Sequence, residues 1–328
     1  MSFINNDQKF AVLGSTGMAG SSILRILIKK GYKRIFNPTR LELNLLDMNS
    51  VQSWFSEHKP DVVILCAAKV GGIHANNSNP ADFILENLKI QTNVIDASWK
   101  FNVKKFLFLG SSCIYPKYAN QPIIEEELLK GELELTNQWY AIAKISGIKL
   151  CEALKKQYGF NAISLMPTNL YGPGDNYDEI NSHVLASFIR RFHKAKIEEL
   201  EEVICWGSGN PMREFLHVDD LGNAILFVLE NWDIKSDFVP LDLNGEPLSF
   251  LNVGTGKDIS IKELANLVAE IIGFKGRIIW DKSMPDGTPR KLLDVSRLKN
   301  LGWSPQINFK EGLKSTIESY QRQSKIKN

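Results

Sequence analysis

The chain has 328 residues, enough for one large domain or two smaller ones, and the usual size of domains favours two. Its composition, 44% hydrophobic and 23% charged, is typical of a globular protein, and 39 basic against 37 acidic residues leave a net charge of +2. This even balance argues against a nucleic acid or an anionic membrane as a partner.

The cysteines and the hydrophobic runs exclude further classes of protein. Cys66, Cys113, Cys151 and Cys205 are too scattered for a zinc site or a disulfide framework, so we expect no metal and reduced thiols. Residues 1–9 are polar, and no apolar run approaches the roughly 20 residues of a membrane span. These features predict a soluble cytoplasmic protein.

A glycine-rich turn follows the first predicted strand. The strand covers residues 10–13, and the turn contains Gly14, Gly17 and Gly20 before a helix that runs to Lys30. In this order the glycines let the backbone approach a pyrophosphate, and the N-terminus of the helix offers free N–H groups. A purely structural turn is the alternative, but the alternation of elements that follows favours a dinucleotide.

Strands and helices alternate over the first half of the chain. Strands are predicted at residues 32–36, 61–67, 105–109 and 160–166, and helices at residues 50–58, from Asn79-Pro80 onward, and around Tyr140. This alternation predicts an α/β fold with a Rossmann-like, doubly wound parallel sheet over residues 1–170. A smaller α/β substrate domain is expected over residues 171–328, with residues 215–240 returning to the first domain.

The residues after the second strand distinguish NAD from NADP. A carboxylate there would hold the ribose of NAD, whereas an arginine accommodates the extra phosphate of NADP. Residues 36–41 contain no acid and include Arg40, which therefore favours NADP over the alternative of a surface charge. Asp47 either contacts the adenine or caps the next helix.

A tyrosine and a lysine four residues apart indicate carbonyl reduction. Tyr140 and Lys144 share one face of a predicted helix, and the strand at residues 105–109 leads to two hydroxyls and a thiol at residues 111–113. The pKa of a phenol is about 10, and a neighbouring ammonium is expected to lower it. Ser111 would then hold a ketone oxygen while Tyr140 donates its proton.

Three cations in the second half point to an anionic substrate. Arg191, Arg213 and Lys291 lie on or near predicted loops, and each alone is a typical surface residue, whereas the three together suggest a diphosphate. A strand at residues 202–206, a helix at residues 218–230 and a capping box at residues 260–263 are predicted in the same half.

Several longer stretches resemble one family. They are residues 41–47 (Leu-Glu-Leu-Asn-Leu-Leu-Asp), 67–73, 110–116 (Gly-Ser-Ser-Cys-Ile-Tyr-Pro), 166–173, 181–184, 206–209 and 212–220 (Met-Arg-Glu-Phe-Leu-His-Val-Asp-Asp). Over nearly the whole chain they resemble the extended short-chain dehydrogenase/reductases, and among these the GDP-L-fucose synthases, which are 3,5-epimerase/4-reductases of GDP-4-keto-6-deoxy-D-mannose. Matches of this length are more specific than the glycines or the Tyr-x-x-x-Lys spacing.

The resemblance implies two sets of catalytic residues. Ser111, Tyr140 and Lys144 would form the reductase triad, with Tyr140 protonating the C4 oxygen while NADPH delivers hydride to C4. Cys113 and His183 would be the acid and base that invert C3 and C5, whose protons the 4-keto group acidifies. The structural alternatives are a small buried thiol and a histidine bonded to backbone at a helix start.

The resemblance also implies the binding residues and the oligomer. NADP would contact Gly14, Ser15, Thr16, Gly17, Met18, Gly20, Arg40, Leu43, Asp47, Ala67, Ala68, Leu109, Ser111, Ser112, Tyr140, Lys144, Pro167, Asn169, Leu170 and His183. The GDP-sugar would contact Arg191, Trp206, Arg213, Asp286 and Lys291. A homodimer would form through residues 81–101 and 136–158.

The chain departs from the family pattern at two places. Ser15-Thr16 stands where the family often has His-Arg, whose arginine helps to hold the 2′-phosphate, so the NADP prediction depends mainly on Arg40. Residues 174–180 also differ beside the sugar. The alternative substrates are therefore a GDP-4-keto-6-deoxyheptose or a GDP-4-keto-3,6-dideoxy sugar, reduced at C4 with or without epimerisation.

Other activities fit the residues less well. Related 4,6-dehydratases carry Thr-Asp-Glu where this chain has Ser-Ser-Cys at residues 111–113, and 4-epimerases usually hold NAD with an acid that is absent here. A non-enzymatic NADP-sensing protein usually lacks the tyrosine or the lysine. We predict an NADPH-dependent 3,5-epimerase/4-reductase that converts GDP-4-keto-6-deoxy-D-mannose to GDP-L-fucose.

Overall fold

The computed structural model describes residues 2–179, 181–233, 239–284 and 286–327. The strands are β1 (Phe10–Leu13), β2 (Ile35–Phe36), β3 (Val62–Leu65), β4 (Lys105–Leu109), β5 (Ala162–Pro167), β6 (Asn169–Tyr171), β7 (Glu202–Trp206), β8 (Met212–His217), β9 (Phe250–Val253), β10 (Asp258–Ser260), β11 (Arg277–Asp281) and β12 (Arg290–Lys291). The helices are α1 (Met18–Lys29), α2 (Met48–His58), α3 (Ile73–Ser78), α4 (Pro80–Lys100), α5 (Gln138–Tyr158), α6 (Val184–Ile197), α7 (Val218–Asn231), α8 (Ile261–Ile272), α9 (Ser296–Asn300) and α10 (Phe309–Lys327).

A six-stranded parallel sheet lies at the centre of the fold. Its strand order is β2-β1-β3-β4-β5-β9, and every neighbouring pair is parallel. Every residue of β1, β3, β4 and β5 is buried, because helices cover both faces of the sheet. The predicted Rossmann-like α/β fold is confirmed.

Two differences from the prediction occur at the edges of this sheet. The second strand covers only Ile35–Phe36, because the backbone amide of Tyr32 instead closes the end of α1 on the carbonyl of Leu27 at 3.1 Å. At the opposite edge, β9 is a strand that the sequence analysis did not predict. It pairs with β5 in the register Ser164↔Phe250.

Helices pack on the two faces of the central sheet. On one face α1 lies against α7, where a Cβ on Gly222 would come within 2.6 Å of the Ser22 hydroxyl oxygen. That hydroxyl donates to the carbonyl oxygen of Val218 at 2.9 Å. On the other face α2, α4 and α5 cover a second apolar cluster that includes Phe106 and Phe108.

A smaller lobe is built from the remaining strands and helices. Strand β8 pairs with β6, β10 and β12, and β7 pairs in parallel with β11. Helices α6, α8 and α10 enclose an apolar cluster around Phe188 and Phe192. The predicted capping box is present at the start of α8, where Ser260 and Glu263 exchange hydrogen bonds. In the described part of the chain, every helix is too short or too polar to cross a membrane.

Candidate active site

One cavity of about 1120 Å³ opens at the carboxyl ends of the central strands. It extends from the turn after β1, past the ends of β3, β4 and β5, to α6, the end of β7 and the segment that leads into β12. Ligands of open α/β sheets bind at this edge. The volume exceeds the roughly 300–1,000 Å³ of a pocket for one small ligand, so there is room for two ligands in contact.

The glycine turn at one end of the cavity fits a pyrophosphate. Gly14 has a φ of +91°, and a Cβ there would lie 2.6 Å from the amide nitrogen of Ala67. A Cβ on Gly20 would lie 2.1 Å from the carbonyl oxygen of Gly14, so glycine lets α1 pack against the turn. Gly17 is the N-cap of α1, and neither a side-chain cap nor an acid in the first turn competes for the free N–H groups of the helix.

Nearly all of the predicted cofactor residues line this cavity. The residues that line it are Gly14, Thr16, Gly17, Met18, Gly20, Arg40, Leu43, Ala67, Ala68, Leu109, Ser111, Ser112, Tyr140, Lys144, Pro167, Asn169, Leu170 and His183. Arg40 is exposed, and no described carboxylate forms an ion pair with it.

Ser15 and Asp47 use their side chains within the protein. The hydroxyl of Ser15 donates to the carbonyl oxygen of Asn37 at 3.2 Å, and the carboxylate of Asp47 accepts from the amide of Asn49 at 2.9 Å as the N-cap of α2. Neither residue lines the cavity. Of the two alternatives for Asp47, the structure shows the helix cap.

Ser111, Tyr140 and Lys144 meet where β4 ends beside α5. Ser111 precedes the short 3₁₀ turn Ser112–Ile114, and its hydroxyl is near enough to the Tyr140 phenol to affect the pKa of that phenol. The Lys144 ammonium is 5.8 Å from the centre of the Tyr140 ring and donates to the carbonyl oxygen of Leu109 at 2.8 Å. The three side chains therefore occupy one corner of the cavity.

The expected lowering of the Tyr140 pKa by Lys144 is wrong. The pKa of Tyr140 is raised well above its ordinary value, first because the phenol is desolvated, and then because the Cys113 thiol is near. The Ser111 hydroxyl opposes this shift. Burial also lowers the pKa of Lys144, to about 8. The phenol is therefore kept protonated, as a proton donor must be.

Cys113 and His183 face the same cavity from different elements. The thiol of Cys113 is half-buried and accepts a hydrogen bond from the Lys291 ammonium at 3.7 Å, so it is not a thiol enclosed in the core. His183 precedes α6 without a side-chain bond to the backbone there, and its ring is open to the cavity. The protein around the ring, and then the charge of Lys291, lower the pKa of His183.

The predicted substrate cations lie at the far end of the cavity. Arg191, on α6, and Arg213, on β8, are half-buried, and desolvation lowers the pKa of both. No described carboxylate forms an ion pair with either guanidinium, so both are available for an anion. Trp206 ends β7 with 56% of its surface exposed. In the turn that follows, the Ser208 amide donates to the carboxylate of Asp286 at 2.6 Å.

Two further polar residues line the cavity. The side-chain oxygen of Asn137, three residues before Tyr140, is buried and has no hydrogen-bond partner among the described residues. Arg190 pairs with Glu179 at 3.1 Å, and its buried Nε has no acceptor in the same part of the chain. The sequence analysis assigned no role in the site to Asn137 or to Arg190. The Arg190-Arg191 pair was the available signal.

A metal site is not formed by the described residues, since no group of three or more His, Cys, Asp or Glu side chains is arranged to hold an ion. The polar side chains that line the cavity include hydroxyls, thiols, imidazoles, amides and carboxylates as well as guanidiniums and ammoniums. This set is suited to proton transfer and to the binding of phosphates.

Comparison with known proteins identifies the family. The model of the NAD dependent epimerase/dehydratase family matches residues 10–239. GDP-L-fucose synthase from Escherichia coli K12 is 52% identical over 311 residues, which are 95% of this chain and 96% of that protein. GDP-L-fucose synthase 1 from Arabidopsis thaliana is 52% identical over 319 residues, which are 97% of this chain and 95% of that protein.

The chain belongs to the GDP-L-fucose synthase group of the epimerase/dehydratase family. The resemblance noted in the sequence is thereby confirmed. Solved structures of this wider family share the fold. A GDP-mannoheptose C4 reductase from Campylobacter jejuni, solved with NADP bound, has a TM-score of 0.88 and 37% identity, and the match covers 97% of this chain and 99% of that one.

Proposed function

We propose that this member of the GDP-L-fucose synthase group is an NADPH-dependent 3,5-epimerase/4-reductase that converts GDP-4-keto-6-deoxy-D-mannose to GDP-L-fucose. The observation that carries the proposal is that one cavity holds Ser111, Tyr140 and Lys144 together with Cys113 and His183. The first three suit ketone reduction, and the other two suit proton exchange at carbons beside a ketone. Relatives that are 52% identical bear the name of this activity.

NADP fits the first part of the cavity. The turn of Gly14, Gly17 and Gly20, with the uncapped start of α1, would hold the pyrophosphate, and Arg40 would hold the 2′-phosphate. Residues 167–170 and His183 would line the nicotinamide end. The bound cofactor supplies a hydride for C4 of the sugar.

The reductase triad has distinct roles in this proposal. Tyr140 gives its proton to the C4 oxygen, and its raised pKa keeps that proton available in the absence of substrate. Ser111, beside the phenol, holds the same oxygen. The Lys144 ammonium, fixed on the Leu109 carbonyl, provides positive charge that favours the phenolate left after the transfer.

Cys113 and His183 would carry out the epimerisation. A 4-keto group acidifies the protons on C3 and C5, so one residue can remove a proton while the other returns one to the resulting enolate. Both side chains reach the cavity, and both lie near Lys291. Arg191 and Arg213 would bind the diphosphate, and Trp206 would contact the sugar or the base.

The alternative substrate is a GDP-heptose. Its support is the similarity to a GDP-mannoheptose C4 reductase and the unusual loop before His183, in which Glu179 pairs with Arg190 at the cavity wall. In that case the triad would act in the same way, and epimerisation would depend on Cys113 and His183 as before.

The proposal extends to organisation and location. We assign residues 1–170, with 215–240, to NADP binding and residues 171–328 mainly to the GDP-sugar, in a cytoplasmic homodimer. The dimer would form through α4 and α5, which pack against each other and leave Leu85, Trp139 and Tyr158 exposed. The molecular mass in solution tests the dimer.

The test of the activity is a reaction in deuterated water. The purified protein is incubated with GDP-4-keto-6-deoxy-D-mannose and NADPH, and the product is examined by NMR. GDP-L-fucose with deuterium at C3 and C5 is expected. Reduction without deuterium at those carbons would leave a plain C4 reductase, and no reaction would exclude this substrate and turn the test to the heptose.

Variants assign the roles. Tyr140→Phe should lower the rate of NADPH oxidation by about 100-fold or more, as expected for loss of a general acid. Tyr118→Phe, at an exposed position, is the matched control. Cys113→Ser should stop the incorporation of deuterium, and Cys205→Ser, in the core of the smaller lobe, should not. Near-normal turnover of Tyr140→Phe would remove Tyr140 from its role.

A further inference from the structure

Arg190 is a cation of the cavity wall to which the proposed function gives no role. It lies on α6 immediately before Arg191, and both side chains line the cavity. Only 18% of the Arg190 side chain is exposed, and its buried Nε has no acceptor among the described residues. A guanidinium has five N–H donors in a planar fork, so this unused donor leaves the side chain able to bind a further anion.

The carboxylate that pairs with Arg190 is exposed. Nη2 of Arg190 lies 3.1 Å from an oxygen of Glu179, whose side chain is 73% exposed and lines the same cavity. An ion pair exposed to this degree contributes little, because water competes for both charges. The pKa of Glu179 is lowered, chiefly by Arg190 and less by Lys194, one turn further along α6. If Glu179 leaves Arg190, its carboxylate therefore keeps both solvent and a second cation nearby.

Two contacts flank Glu179 in the chain and fix the backbone on both sides of it. Tyr177 packs against Tyr320 of α10, with the ring centres 4.4 Å apart. On the other side, the amide of Gly72 donates to the carbonyl oxygen of Asn181 at 3.0 Å. The carboxylate is thus placed at the cavity wall by anchored neighbours.

The charges of Glu179, Arg190 and Arg191 act on one another. Burial lowers the pKa of Arg191, the charge of Arg190 lowers it further, and that of Glu179 opposes the shift. The two guanidiniums therefore repel each other, and Glu179 offsets part of this repulsion before a ligand binds. A diphosphate carries more negative charge than a carboxylate and can accept two parallel N–H bonds from one guanidinium. It is thus the better partner for Arg190.

We propose that Arg190 is a second guanidinium for the substrate diphosphate, beside Arg191, and that Glu179 occupies Arg190 until the diphosphate replaces it. The exchange is purely ionic, with one anion leaving the guanidinium as another arrives. The inference rests on the proposed function, because the diphosphate is that of the GDP-sugar. It adds a binding residue to the site and a carboxylate that sets the affinity of the site.

GDP alone tests the exchange, because it carries the diphosphate without the sugar. Its dissociation constant is measured by calorimetry. Arg190→Met should weaken the binding of GDP by about ten-fold or more, as expected for the loss of a charge-assisted contact. Glu179→Gln should strengthen it by about two- to five-fold, because GDP no longer has to break the ion pair. The dissociation constant of NADPH should be the same for these proteins and the native chain.

The double variant separates an exchange of partners from simple repulsion. In Arg190→Met there is no ion pair to break, so adding Glu179→Gln should change the affinity for GDP little. Arg277 and Glu202 form another exposed pair, at 3.3 Å, and neither lines the cavity. Arg277→Met and Glu202→Gln are therefore the matched controls, and both should bind GDP as the native chain does.

The inference is overturned if Glu179→Gln binds GDP no more tightly than the native chain, or if its gain is equal with and without Arg190. A weakening of NADPH rather than GDP in Arg190→Met would also overturn it. Glu179 is exposed, so its variant should fold and the first outcome can be measured. If the native chain binds GDP and only these effects are missing, the proposed function stands. A native chain that does not bind GDP would remove both.

Discussion

The ammonium of Lys144 donates a hydrogen bond to the carbonyl oxygen of Leu109 at 2.8 Å, inside the wall of the cavity. Leu109 is the last residue of β4, so the bond ties α5 to the strand that leads to Ser111. Only 3% of the surface of Lys144 is exposed, and this burial lowers its pKa to about 8. The charge is therefore present at neutral pH and is lost in mildly alkaline solution.

The reductase activity should decline above about pH 8, because Lys144 loses its charge there. The positive form of Lys144 predominates below the pKa, and the neutral form, which predominates above it, cannot favour the phenolate of Tyr140. Initial rates at saturating NADPH should therefore fall as the pH rises. Lys144→Arg keeps its charge throughout, so its rate, although lower, should not fall in the same range. Parallel profiles for the two proteins would contradict this role.

Arg40 should select NADPH over NADH. Loss of a charge-assisted contact to phosphate costs about 1.5–3 kcal/mol, so Arg40→Ala should weaken the binding of NADPH by roughly 10-fold to 150-fold and leave NADH nearly unchanged. Arg34→Ala, which removes another exposed arginine near the second strand, is the control. Dissociation constants from fluorescence titration decide the matter, and an equal loss for both cofactors would remove the phosphate contact.

Gly20 and Gly17 should respond differently to the same substitution. A Cβ on Gly20 would lie 2.1 Å from the Gly14 carbonyl oxygen, so Gly20→Ala should destabilise the fold by about 1–3 kcal/mol through overpacking. A Cβ on Gly17 would meet that oxygen at 3.5 Å, an ordinary contact, so Gly17→Ala should retain its thermal stability. Thermal unfolding compares the two, and equal midpoints would show that the turn relaxes.

Lys105 should make the free energy of unfolding rise with pH in alkaline solution. Its ammonium is buried, donates to the carbonyl oxygen of Leu229 at 2.9 Å and contacts that of Trp232, and burial lowers its pKa to about 8. Below about pH 8 the folded and unfolded chains both carry this proton, so the cost of burying the charge is fully present. Between the folded and unfolded pKa values only the unfolded chain keeps the proton, so stability rises with pH.

The measurement is the free energy of unfolding in urea, compared between the native chain and Lys105→Met. The difference should move by about 1–2 kcal/mol in favour of the native chain between roughly pH 7.5 and 9.5. Lys33→Met, at an exposed position, is the control. A constant difference over this range would show that the buried amine titrates outside it.

Much of the nucleotide-binding half was predictable from local pattern. Four fully buried strands are short apolar runs, and helices separate them, so their order along the chain predicts a parallel sheet. The strand Phe250–Val253 was not predicted, because its partner, β5, lies some 80 residues earlier in the chain. A four-residue apolar segment among turns carries no local sign of such a distant pairing.

The sequence predicted which residues form the site. It did not predict the surroundings that set their pKa values and the directions of their side chains. Spacing alone places Tyr140 and Lys144 on one helical face. The direction of the Tyr140 pKa shift depends on how deeply the phenol is buried. The expected lowering by Lys144 was wrong because burial raises this pKa instead. Likewise, the motifs predict that Ser15 lies in the glycine turn and Asp47 before α2. They do not predict that both side chains form hydrogen bonds within the protein.

The addition of β9 and α7 to the nucleotide sheet means that the two halves of the chain cannot be separated by one cut. A fragment that ended at residue 170 would leave β5 as an unpaired edge and strip the cover of Leu221 and Ile225 from the α1 face of the sheet. Such a fragment would aggregate. Grafting the smaller lobe of a relative onto this chain therefore requires several junctions.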